Sequence, residues 1–181
     1  MNNAIFISGT PCTGKTTVSE VLAKKLNCKL IKINDLAIEN DFVLGIDSEK
    51  GYKVIDIDAL GEMVLKIIES SDELLIFEGH LSHLCHGADK VIILRVRPEI
   101  LEGRLRARDY SESKIRENLE AEAMGVCSAE AYAIYDDDVS EIDVSELTVE
   151  EIVDNLAGVI SGGKTLSFGE IDFMDWIIGL G

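Results

Sequence analysis

An apolar, β-rich run, Ala4-Ile5-Phe6-Ile7, ends at Gly9, and beyond Thr16 the residues Val18, Val21, Leu22 and Leu26 recur at helical spacing. Between them lies Gly9-Thr10-Pro11-Cys12-Thr13-Gly14-Lys15-Thr16, which satisfies G-x-x-x-x-G-K-[ST]. Strand, glycine loop and helix in this order constrain the fold strongly. The loop must curl so that successive N–H groups point inward, and the helix N-terminus adds partial positive charge, so the ligand is a phosphate chain. Cys12, Thr13, Gly14, Lys15, Thr16 and Thr17 are the expected nucleotide-binding residues. Lys15 bridges the β- and γ-phosphates of ATP, Thr16 turns its hydroxyl to Mg²⁺, and Thr17 donates to the α-phosphate. Cys12 is read as a small packing residue rather than a nucleophile, since no histidine lies near it in sequence.

Further strand candidates follow at Leu30–Ile33, Leu74–Phe77, Val91–Leu94 and around Ile142 and Val144, with helical segments between them. Asp58 is expected to cap a helix through Ile68, and Thr148 with Glu151 forms a capping box for a helix ending near Ile160. Residues 34–52 read as a polar, Gly-containing stretch. Apolar strands alternating with helices predict an α/β fold, a five-stranded parallel sheet with helices on both faces. One domain spans 1–181, closing with a linker and an apolar tail over 161–181. That tail docks on the core or, alternatively, forms a dimer contact.

The chain of 181 residues carries 34 acidic against 17 basic residues, a formal charge of −17. Such an excess argues against non-specific binding to nucleic acid or an anionic membrane surface. The charge is uneven. Residues 1–117 hold 16 basic and 19 acidic residues, whereas 118–181 hold Lys164 alone against 15 acids. Four scattered cysteines with no C-x-x-C pair read as reduced thiols, and no apolar run has the length of a signal peptide or membrane span, so a cytoplasmic location is expected.

Glu78 ends an apolar strand, so its carboxylate should emerge beside the glycine loop and support Mg²⁺. His80 is then placed to orient an attacking water or acceptor hydroxyl. His80, His83, Cys85 and His86 also spell H-x-x-H-x-C-H, a zinc alternative that lacks the usual remote second pair of ligands. Arg95, Arg97, Arg104, Arg106, Arg108 and Arg116 cluster after the fourth strand, as expected of a mobile segment that closes over ATP and neutralises the transferred phosphoryl group. Arg104 and Arg108, four apart, share a helix face and are the catalytic pair, while Arg106 is better read as a surface ion pair.

With these residues assembled, the chain resembles the small nucleoside-monophosphate kinases, and among them the adenylate kinase isoenzyme 6 family, which includes the putative adenylate kinases of archaea. The resemblance rests on residues 9–17, on Asn34-Asp35-Leu36-Ala37, on Glu78-Gly79-His80, and on Arg104 and Arg108 leading into Asp109-Tyr110. It implies phosphotransfer from ATP to a nucleoside monophosphate such as AMP, an ATPase side activity, and a short lid near 107–117 with Arg108 touching ATP. It also implies an acceptor-binding subregion near 29–52, including Asp35. Members of the family act in small ribosomal subunit (rRNA) maturation, which implies a basic small-subunit ribosomal protein as partner.

One departure matters. Where such kinases carry an arginine to grip the acceptor phosphate, this chain has Ile38, so Lys32, Lys53 or Arg97 must substitute. A small-metabolite kinase of similar fold is the alternative that Ile38 keeps open, and an assembly ATPase that holds a basic protein on its acidic C-terminal third is another.

Overall fold

The computed structural model describes residues 4–48 and 51–179. In chain order the elements are β1 (Ala4–Ser8), α1 (Lys15–Leu26), β2 (Lys29–Lys32), α2 (Ile33–Glu39), β3 (Val43–Ile46), β4 (Lys53–Ile55), α3 (Ile57–Glu69) and β5 (Leu75–Glu78). They continue with β6 (Lys90–Arg95), α4 (Pro98–Arg106), α5 (Glu112–Ala123), α6 (Val126–Tyr135), β7 (Val139–Asp143), α7 (Val149–Ile160) and α8 (Met174–Ile178). Single 3₁₀ turns occupy Ser82–Leu84 and Asp136–Asp138.

Five strands form one parallel sheet in the order β2-β5-β1-β6-β7. The pleat sends alternate residues of β1 to opposite faces. Ile5 and Ile7 pack with Leu22 of α1, Leu101 and Leu105 of α4, and Leu156 of α7. Ala4 and Phe6 pack with Ile33 of α2, Leu60 and Val64 of α3, and Ala131 of α6. Both faces are therefore covered, which is why β1, β5 and β6 are almost wholly apolar.

One local expectation is corrected, and the polar stretch after β2 proves to hold regular elements. Ile33 and Ala37, one helical turn apart, are both buried and nucleate α2, and β3 and β4 pair as an antiparallel hairpin away from the main sheet. Helix α3 is capped by Asp56, whose carboxylate accepts the Ala59 N–H at 3.0 Å, while Asp58 lies inside the first turn. At α7 the capping box of Thr148 and Glu151 is present on both sides.

The segment after α7 lies across the outer edge of the sheet. The Glu141 N–H of β7 donates to Ser167 O at 3.1 Å, Phe168 stacks on Tyr132 with centroids 4.5 Å apart, and Trp176 packs against the first core layer. An edge strand that would otherwise expose unpaired backbone is thereby covered. Among the described residues no helix is long and apolar enough to cross a membrane.

Candidate active site

The glycine loop connects β1 to α1 at the carboxyl edge of the sheet. Gly9 has φ +140°, and a Cβ there would stand 2.5 Å from Leu94 O of β6, so only glycine lets the loop pass this close to the neighbouring strand. Gly14 caps α1 in the left-handed region with no side-chain hydrogen bond, which leaves the first-turn N–H groups to an anion. Thr13 Oγ1 is buried without a partner in this loop.

Lys15 is buried and donates to Gly9 O at 2.8 Å and Thr10 O at 2.9 Å, both carbonyls of the glycine loop. Burial pulls its pKa down to about 8, against the pull of nearby anions that include Glu78 and Glu122. Thr16 Oγ1 donates to Glu78 Oε1 at 3.1 Å. A hydroxyl and a carboxylate side by side at the strand end form an oxygen donor pair that suits a hard divalent cation.

The loop separates two cavities of about 520 Å³ each. On one side Cys12, Thr13, Gly14, Thr17, Arg104 and Arg108 face Val144, Leu147, Val149 and Ile152. Arg104 Nη1 reaches Cys12 O and Thr13 O at 3.4 and 3.3 Å, which holds it against the loop. On the other side Pro11 and His80 border a mainly apolar cavity with Ile38, Tyr52, Ile55, Ile57, Leu81 and Leu84, joined by Asn34, Asn118, Glu117 and Lys53.

His80 sits in the loop after β5. Desolvation, helped by the Lys15 and His83 charges, depresses its pKa to about 4, so the ring is neutral near pH 7. Its position is secured from behind. Gly79 O accepts the hydroxyls of Ser8 at 3.0 Å and Ser82 at 2.9 Å, and Ser8 Oγ also meets His83 Nδ1 at 2.7 Å. His83 Nε2 in turn meets Glu130 at 2.9 Å. His83 is thus committed to hydrogen bonds, and burial pushes the Cys85 thiol up to about 12, opposing the thiolate that a zinc ligand requires.

Several expected residues lie elsewhere. Asp35 does not line the cavity beside His80; one position along the helix turns its side chain to an exposed groove beside Lys29 and Lys32, while its neighbour Asn34 faces the cavity. Lys32 is paired with Glu20 at 2.7 Å on the surface, and Arg97 pairs with Glu146. Of the three candidate anchors only Lys53 lines the cavity. Arg106 is held by Glu102 and Glu112, and Arg116 by Glu120, so only Arg104 and Arg108 of the arginine cluster border the loop-side cavity. Arg95 is buried between Glu122 and Glu141. Sequence reading missed Glu122, which carries no motif and whose partners lie 27 and 112 residues away.

The model of a family described as AAA domain matches residues 5–125. A protein named "Putative adenylate kinase" from Methanothermobacter thermautotrophicus is 39% identical over 175 residues, covering 97% of this chain and 99% of the relative. Its namesake from Pyrococcus furiosus is also 39% identical, over 93% of this chain and 90% of the relative. Among solved structures, shikimate kinase from Bacteroides thetaiotaomicron superposes with a TM-score of 0.61 at 20% identity, covering 87% of this chain and 98% of that one. A gluconokinase from Sinorhizobium meliloti gives 0.60 at 17% identity, over 89% and 93%.

Proposed function

The chain belongs to the family of these archaeal putative adenylate kinases, a kinase family on a phosphate-loop α/β fold, and from that premise we propose that it transfers the γ-phosphoryl group of Mg·ATP to AMP, forming two ADP. The observation that carries the reading is the pair of cavities on either side of the glycine loop, one bordered by two arginines and the other mainly by apolar side chains, with Lys53 as its one lysine among the described residues, beside Asn34, Asn118 and Glu117. A flat base and one anionic group suit the second cavity better than a polyhydroxylated metabolite, which would need many more polar partners.

In this reading the N–H groups of residues 12–17 and the Lys15 ammonium hold the phosphates of ATP, and Lys15 exchanges its two carbonyl partners for phosphate oxygens. Thr16 and Glu78 would hold Mg²⁺, which when bound neutralises charge on the β- and γ-phosphates. Arg104 and Arg108 share the charge that develops on the transferred group. His80, neutral and at the border of the acceptor cavity, orients the acceptor or, without one, a water, which accounts for an ATPase side activity. Lys53 takes the anchoring part that Ile38 cannot. Residues 107–117, the turn after α4 and the first part of α5, act as the lid, and a cytoplasmic setting suits the substrates.

Incubation with Mg·ATP and a panel of AMP, other monophosphates, adenosine, shikimate and gluconate tests this. ADP formation that requires AMP supports the reading; equal turnover without any acceptor overturns it. A second role, holding a basic small-subunit ribosomal protein during rRNA maturation, is supported by the exposed acids Asp136, Asp137 and Asp138. Binding to such a protein should weaken with salt and with D136N/D137N/D138N. Indifference to both removes it.

A further inference from the structure

Glu122, at the end of α5, is buried and has both carboxylate oxygens hydrogen-bonded. Its Oε2 accepts the Thr10 hydroxyl at 2.5 Å, and its Oε1 accepts Arg95 Nε at 2.9 Å and the Val96 N–H at 3.0 Å. Thr10 is the first residue of the glycine loop after Gly9, and its carbonyl is one of the two that Lys15 holds. The buried carboxylate therefore pins the near end of the loop by its side chain, while the Lys15 end remains free to exchange partners.

The anchor itself is anchored. Arg95 Nη2 donates to Glu122 O at 2.8 Å and its Nη1 to Glu141 Oε1 at 2.6 Å. Glu141 Oε2 accepts the Gly169 N–H at 2.7 Å, and the Phe173 ring lies 5.2 Å from the guanidinium carbon of Arg95. Two carboxylates and one guanidinium, all nearly inaccessible to water, thus run from the glycine loop to the segment after α7. A group of buried charges holds one geometry only while each member keeps its partners.

We propose that Glu122 is a positioning residue for nucleotide binding, holding the glycine loop in its phosphate-accepting form through Thr10, and that residues 167–173 complete this hold by closing the Arg95–Glu141 pair. The inference rests on the reading of residues 9–17 as a nucleotide site. Phe173 and Gly169 border neither cavity, so an effect of theirs on nucleotide affinity must pass through the charged relay.

Calorimetric titration of the full chain with Mg·ATP, without acceptor, tests the proposal on wild type, T10V, T10S and F173A. Losing a hydrogen bond to a charged group predicts that T10V binds about tenfold or more weakly, while T10S, which keeps the hydroxyl, binds within about twofold of wild type. F173A should weaken binding by about threefold or more through the loosened Arg95. Wild-type affinity in T10V overturns the proposal, as does T10S as impaired as T10V, since keeping the hydroxyl would then not restore binding. Wild-type affinity in F173A removes the part given to residues 167–173. Should T10V fail to fold by circular dichroism, F173A, changed at a half-buried outer position, still decides the relay. A wild-type chain that binds no Mg·ATP overturns the nucleotide reading itself, which separates that failure from this one.

Discussion

Lys15 donates its ammonium to two carbonyls of its own loop, and in the proposed reading phosphate oxygens replace them. Lys15→Met should leave the fold intact, because it removes a buried charge that burial disfavours, yet lower ATP turnover about a hundredfold or more in a steady-state assay. Lys53→Ala should raise the KM for AMP about tenfold with little change in the KM for ATP, and Lys53→Arg should retain most of the affinity. His80 supplies a pH test. Its folded pKa of about 4 lies below the unfolded value near 6.5, so the unfolded chain binds the extra proton between these values. Stability should therefore be lost as pH falls from about 6.5 to 4, and His80→Gln should flatten that part of a thermal-denaturation profile. The residues announced by a motif, Lys15, Thr16, Glu78 and His80, were legible because spacing alone brings them to one strand edge. Glu122 and Arg95 were not, since a pairing between residues 27 apart that serves a loop 112 positions away leaves no local pattern. Asn34 and Asp35, adjacent in sequence, border different cavities, the difference between two faces of a short helix.

Element by element, legibility followed burial. The three central strands β1, β5 and β6 could be read because a strand covered on both faces is near-continuously apolar, whereas the edge strands β2 and β7 showed only as short apolar patches. The β3–β4 hairpin could not, because Leu44, Ile46 and Val54 are exposed and Gly45 interrupts the run, so no alternation marks a buried side. Helix α2 likewise lacks a side-chain cap and spans only seven residues. At α7 the cap was legible and its removal is measurable. Thr148→Ala should cost about 1 kcal/mol and lower Tm by about 2–4 °C, read by differential scanning calorimetry, with Thr148→Ser close to wild type.

Across the whole molecule the uneven charge turns out to be partly internal bookkeeping. Acids of the C-terminal third meet bases of the first two thirds: Glu122 and Glu141 take Arg95, Glu146 takes Arg97, Asp154 takes Lys25, and Glu120 takes Arg116. Their weights differ sharply. Arg95→Met strands two buried carboxylates and should cost about 3–5 kcal/mol in urea unfolding, whereas Lys25→Ala, at a pair whose side chains are 48% and 68% exposed, should change stability by less than about 1 kcal/mol. Segment counts showed where the surplus acid lies, but which acids are spent on distant bases depends on the folded chain.

The strand order carries one more consequence, for synthesis. Strand β1 precedes the other four strands of the sheet yet lies at its centre, and its partners follow 71 and 85 residues later, Leu75 beside Ala4 and Lys90 beside Ile5. A growing chain cannot start this sheet at β1 alone. Until residue 78 has emerged from the ribosome, Ala4–Ser8 is an unpaired, β-prone apolar segment, and that interval is when the chain is most exposed to aggregation and to capture by chaperones.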